Sequence, residues 1–71
     1  MATRQAMHIS KVVKQHVNSD DGSATYEAAT TYPSGTMVIY DGKSYCSIVD
    51  IAADDTDTPA DGIDKWAIVL N

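Results

Sequence analysis

Five aspartates crowd one stretch of this chain: Asp54, Asp55, Asp57, Asp61 and Asp64, all within "ADDTDTPADGID". Hard carboxylate oxygens at this density are the ligands a calcium ion takes. The spacing does not follow the EF-hand loop, because glycine is absent from its sixth position and no glutamate closes it. The stretch therefore reads as a solvated acidic loop, with no metal and no cofactor assigned. Other reactive groups are sparse. His8 and His16 stand too far apart to share one ion within a single chain, and Cys46, the only cysteine, sits among apolar neighbours, where a buried thiol is common. There is no nucleophile elbow, phosphate-cradling glycine loop or H-E-x-x-H, so the chain is not expected to be an enzyme. The flat rings of Tyr26, Tyr32, Tyr40, Tyr45 and Trp66 are the only candidates for stacking on a sugar.

The charge is divided along the chain. Residues 1–17 carry Arg4, Lys11 and Lys14 with no acid, +3, whereas residues 18–71 set Lys43 and Lys65 against all ten acidic residues, −8. A basic leader on an acidic body suggests that the two face different surroundings. The body's field would repel phosphate, so nucleic acid is not an expected partner. No window reaches the roughly 18 apolar residues of a membrane span, and "MATRQAMHISK" lacks the apolar core of a secretory signal. The expectation is a chain made in the cytoplasm of its host, with no membrane partner.

The leader, residues 1–23, ends in the turn-forming cluster "NSDDGS". Before it, Ile9, Val12, Val13, His16 and Val17 fall at i, i+3, i+4, i+7 and i+8, the stripe of an amphipathic helix. With period two, Met7, Ile9, Val13 and Val17 share one strand face instead, so the expectation is an N-terminal helix or extended arm. The body, residues 24–71, reads as mainly β: a small antiparallel three-stranded module. Its strands are "TMVIY", "KSYCSIVDIA" and the closing "KWAIVLN", and Asp41-Gly42 joins the first two as a tight hairpin turn. Val38 and Tyr40 share one hairpin face with Tyr45; Met37, Ile39, Cys46 and Ile48 share the other. Neither face is polar, so the hairpin must be covered twice. A chain of 71 residues buries only about 60 % of its unfolded surface, and one cysteine cannot staple it. Self-association is the remaining support. Its expected interface comprises Ile9, Val12, Val13 and Val17 from the leader and Met37, Ile39, Cys46 and Ile48 from the hairpin. Arg4, Lys11 and Lys14 are candidate attachment residues.

The frame Tyr32-x-x-Gly35-x-x-Val38-x-Tyr40-x-Gly42-x-x-Tyr45, followed by an acidic loop with Pro59 and then Trp66, resembles the small chitin-binding-type carbohydrate module over roughly residues 26–69. Where that family carries sugar-stacking aromatics soon after the second tyrosine, this chain has Ser47-Ile48-Val49. The frame is also similar to segments of bacteriophage head-fibre, tail-fibre and decoration proteins. The resemblance implies a structural accessory protein of a virion, a homo-oligomer and in particular a trimer, attached to a capsid or fibre protein. The alternative it implies is a carbohydrate-binding module for a host-surface glycan, with Tyr26, Tyr32, Tyr40, Tyr45 and Trp66 as the rings.

Overall fold

The computed structural model describes residues 4–17 and 24–70. The chain is mainly β, as its β-branched runs require, but the sheet is larger than a three-stranded module. Five strands form it: β1 (Ala6–His8), β2 (Lys14–Gln15), β3 (Thr36–Tyr40), β4 (Lys43–Ser47) and β5 (Trp66–Leu70), in the spatial order β1-β5-β4-β3-β2. The pairs β3–β4 and β4–β5 are antiparallel, whereas β1 lies parallel to β5 and β2 parallel to β3. The sheet is open and mixed.

The hairpin forms where its turn residues permit. Asp41 and Gly42 take φ of 51° and 74°, the paired left-handed geometry of the turn that matches strand twist. The second strand stops at Ser47, short of the predicted continuation to Ala53. Ile51 instead forms an isolated bridge with Tyr32, each donating its N–H to the other's carbonyl, at 2.8 and 3.0 Å. That bridge folds residues 48–51 across the end of the sheet.

Among its described residues, 4–17, the leader is not helical. A single 3₁₀ turn, Ile9–Lys11, separates β1 from β2, and the residues on either side are extended. The helical stripe contained three β-branched valines at 12, 13 and 17, which lose rotamer freedom in a helix. Parallel main-chain pairing on two ready edges prevails over that weak preference. The predicted linker, Asn18–Ser23, lies outside the described residues. Beyond it the edge resumes: Ala24 accepts from the Ile39 N–H at 2.6 Å and the Tyr26 N–H donates to Ile39 at 2.8 Å.

β1 and β2 sit at opposite edges, so residues 9–13 must join them. Six Cα steps with a 3₁₀ turn inside reach at most about 18 Å. A flat sheet would separate the outer strands by four spacings of ~4.8 Å, about 19 Å, before any offset along the strands. The start of β2 is level with Thr36 and the end of β1 with Leu70, which adds an offset of about 13 Å at ~3.3 Å per residue. The sheet must therefore curl, bringing its edges toward each other.

Paired residues share a face. Val38, Tyr45 and Ile68 form one row of the core face, joined by Trp66, Tyr32 and Ile51 into a single buried cluster with Tyr26 and Tyr40 at its margin. The opposite face carries the rows Met37–Cys46–Ala67 and Ile39–Ser44.

Candidate functional site

The aromatic rings serve mainly as core. Trp66 is fully buried, and Tyr32 and Tyr45 nearly so. Tyr26 and Tyr32 each meet Trp66 edge-on, at centroid distances of 6.0 and 5.7 Å, an arrangement the ring quadrupoles favour. Tyr32 also closes its own loop: its hydroxyl accepts from the Glu27 N–H at 2.9 Å and lies 3.2 Å from the Glu27 carbonyl as donor. Burial raises the Tyr32 and Tyr26 hydroxyl pKa values, and does the same to the Cys46 thiol. Three of the five candidate sugar platforms, Tyr32, Tyr45 and Trp66, thus present no flat face to solvent. Tyr26 and Tyr40 stay half-buried, but their planes stand at 87°, so they do not form one platform.

Arg4 has a different place from the one expected. Its guanidinium donates to the Trp66 carbonyl at 2.7 Å and to the Ala60 carbonyl at 2.6 Å, and it lies 5.0 Å over the Tyr45 ring. Two carbonyls and a π face engage the cation's fork and plane together. Arg4 therefore latches the leader onto the body, together with the Ile68 N–H donating to Gln5 at 2.9 Å. Sequence alone gave no signal for this latch, because both acceptors are main-chain atoms more than fifty residues away. Lys11 and Lys14 are exposed.

Around the entry to β3 a polar knot sets the backbone. Thr36 and Ser47 are both buried. The Thr36 N–H donates to Ser47 Oγ, and the Thr36 and Ser47 hydroxyls both donate to the Pro33 carbonyl, at 2.6 and 2.8 Å. Gly35 sits inside the knot with φ of 92°. Its carbonyl accepts from Val13 and Lys14, and a Cβ on it would fall 2.8 Å from Val13 Cβ and Cγ2. Only glycine allows the leader to lie this close.

In the acidic loop, Lys65 Nζ bridges Asp55 Oδ2 at 2.8 Å and Asp57 Oδ2 at 3.0 Å. The ammonium holds the Asp55 carboxyl below its ordinary range, and the two carboxylates raise the lysine. Asp54, Asp61 and Asp64 remain exposed. A lone lysine closing an aspartate run is the sequence signal for such a clamp. His16 adds a second contact to the leader: its Nε2 is 3.3 Å from Glu27 Oε1, and its ring meets Tyr32 edge-on at 5.0 Å.

The residues expected at a subunit interface divide into two groups. Cys46 and Met37, at 0 % and 8 % exposure, are buried within the single chain. Neither is therefore available to a neighbour. Ile9, Val13, Val17 and Ile39 are exposed, Val13 at 78 %, and Val12 and Ile48 are half-buried. Val13 is level with Gly35 and Val17 follows two residues after Gln15, the partner of Met37. By strand alternation, Val13, Val17 and Ile39 all lie on the face opposite the aromatic core.

No protein family, curated protein or solved structure matches this chain. Its functional reading therefore rests on geometry and sequence pattern. The geometry offers an aliphatic surface at the β2–β3 edge and no group of three His, Cys, Asp or Glu side chains able to hold a metal among the described residues.

Proposed function

We propose that the chain is a structural accessory protein of a bacteriophage virion, a capsid decoration, head-fibre or fibre-base component. It works by self-association, as a trimer, and by attachment to another virion protein. The observation that carries this reading is the aliphatic surface: Val13, Val17 and Ile39 lie exposed on one face of a very small fold. Scattered apolar side chains are ordinary on a surface, but several on one face of one edge mark a contact site. The tyrosine–glycine frame that resembles fibre and decoration segments supports the same reading. Size-exclusion chromatography with light scattering on the isolated protein is the test. Self-association is expected, and a cooperative, stable monomer at every concentration would overturn it.

A second reading keeps one foothold. Tyr26 and Tyr40 retain part of their ring surface, and Asp55 and Asp57 lie near Tyr26. A ring beside carboxylates suits a single sugar unit of a host-surface glycan. Binding on a glycan array that disappears in Tyr26→Ala and Tyr40→Ala would favour it; binding unchanged in both would remove it.

A further inference from the structure

The two halves of the leader are seated on the fold separately. The N-terminal half sits on β5: Ala6–His8 pair with Ile68–Leu70, and the Ile68 N–H donates to Gln5. Arg4 adds its bonds to the Trp66 and Ala60 carbonyls and its place over the Tyr45 ring. The C-terminal half sits on β3: Lys14 and Gln15 pair with Thr36 and Met37, the His16 N–H donates to Met37, and the His16 ring lies against Tyr32. These two sets of contacts share no residue. Between them runs the connector Ile9–Val13, whose six Cα steps from His8 to Lys14 reach at most about 18 Å around a 3₁₀ turn. The edges it joins would lie about 19 Å apart in a flat sheet, before any offset along the strands. The closed arrangement therefore depends on a sheet curled to meet a short connector.

A short connector under constraint invites exchange of the strand it carries, because a neighbour's identical edge offers that strand every contact it had while freeing the connector. β1 is the strand that can move. β2 is bracketed by the connector and, on its other side, by Ala24 and Tyr26, which bond to Ile39 of the same β3. The covalent path from β1 to the body runs only through the connector and β2. We infer that β1 is an exchange strand: it pairs with β5 of a second copy, in the register seen within the chain, and carries its Arg4 onto that copy's Trp66 and Ala60 carbonyls. Ile9 and Val13, 43 % and 78 % exposed in the closed chain, then lie in the crossing between two copies. Each copy gives one strand and receives one. Such head-to-tail contacts close into rings, a trimer among them, when the rotation permits. The inference rests on the self-association proposed above and names the segment that makes it.

Cross-linking between copies tests the exchange. Met7→Cys and Val69→Cys variants of the full chain, one of them isotope-labelled, are unfolded together in urea and refolded at about 100 μM, which populates any interface with a Kd well below this. Met7 and Val69 are paired residues, so a short bis-maleimide joins the two new cysteines when β1 of one copy lies on β5 of the other. Cys46 is buried and does not compete. A cross-link between labelled and unlabelled copies is expected, and light scattering of wild type is expected to show at least a doubling of its 7.6 kDa mass. Inserting about five Gly/Ser residues after Lys11 lifts the constraint on reach; it should cut the cross-link roughly tenfold and return the protein to the monomer. Emission from the buried Trp66 confirms that each variant folds. Wild type that associates while the two variants give no cross-link, or association and cross-link that both ignore the insertion, overturn the exchange while self-association stands. A wild type that is monomeric throughout overturns both.

Discussion

Replacing Gly35 with alanine should cost more than any other single methyl group added to this protein. Two separate terms contribute. Gly35 holds φ of 92°, a left-handed region that costs an L-residue roughly 1–2 kcal/mol. The new Cβ would also lie 2.8 Å from both Val13 Cβ and Cγ2. Val13 Cβ is fixed to the backbone, so relief requires the leader to shift away from β3, and such overpacking costs about 1–3 kcal/mol. The total, about 2–5 kcal/mol, compares with a stability of roughly 4–10 kcal/mol for a chain of this size. Gly42→Ala is the control. Gly42 has φ of 74° but nothing within 4 Å of its Cβ position, so only the backbone term of about 1–2 kcal/mol applies. Urea unfolding followed by the fluorescence of the single buried tryptophan measures both. Repeating Gly35→Ala in a Val13→Gly background separates the terms, since removing the valine side chain removes the clash but not the strain. The cost should then fall to that of Gly42→Ala. Equal costs for Gly35→Ala in both backgrounds, or a loss under about 0.5 kcal/mol in wild type, would refute the close approach of leader and hairpin.

Arg4→Ala removes two hydrogen bonds and a cation–π contact, and is expected to lower stability by about 1–3 kcal/mol; Arg4→Lys should recover only part, because one ammonium lacks the planar fork. Hydrogen exchange at the Ile68 amide, which donates to Gln5, should speed up in both. Ala29 is a non-glycine residue at φ of 60°, so Ala29→Gly is expected to be neutral or to stabilise by up to about 1 kcal/mol in the same urea assay. The pH dependence comes from the shifted groups. Asp55, held low by Lys65, contributes stability that is present above the ordinary carboxylate value near 4 and lost as pH falls through its lowered value. Cys46, Lys65, Tyr26 and Tyr32, all raised, contribute stability that is complete below their ordinary values, about 8.5 for the thiol and about 10 for the others, and lost as pH rises beyond them. Thermal unfolding against pH should show a plateau between these limits. Lys65→Met should shrink the part of the acid-side drop that Asp55 supplies without abolishing it, because the Asp57 N–H still donates to Asp55 Oδ1.

The hairpin was legible because its turn imposes a requirement on residue type: Asp41-Gly42 is one of few pairs that accept positive φ twice. The closing run "KWAIVLN" anticipated β5, and the grouping of Val38 and Tyr40 with Tyr45 anticipated the core face. The leader was legible only as a choice between helix and extended arm, of which the extended one forms. Its two strands span three and two residues, too short for a periodic signal. They are held by main-chain bonds that carry no side-chain signature, so the valine spacing suggested a helix. The apolar second face of the hairpin does need cover, as its composition implies. For Met37 and Cys46 the cover is the chain itself, while Ile39, two residues beyond Met37 on the same strand, is left open. The latch by Arg4 was invisible because carbonyl oxygens have no sequence identity. The Lys65 clamp was visible in principle, as a lone cation beside a run of acids.

The same fourteen residues, 4–17, pair with both β5 and β3, so one segment closes the sheet on either side. Unpaired strand edges are templates for joining other chains, and proteins shield them by shortening, charging or covering them. Here both shields belong to a single stretch, whose exposed Lys11 stands in the 3₁₀ turn between them. One proteolytic cut there would leave the β2 half held by its two paired residues and the β1 half by three and the Arg4 latch, and loss of both would bare β5 together with Thr36 and Met37 of β3, while Ala24 and Tyr26 still cover Ile39. The leader is thus a shared safeguard against aggregation, and its failure would expose both flanks of the sheet at once.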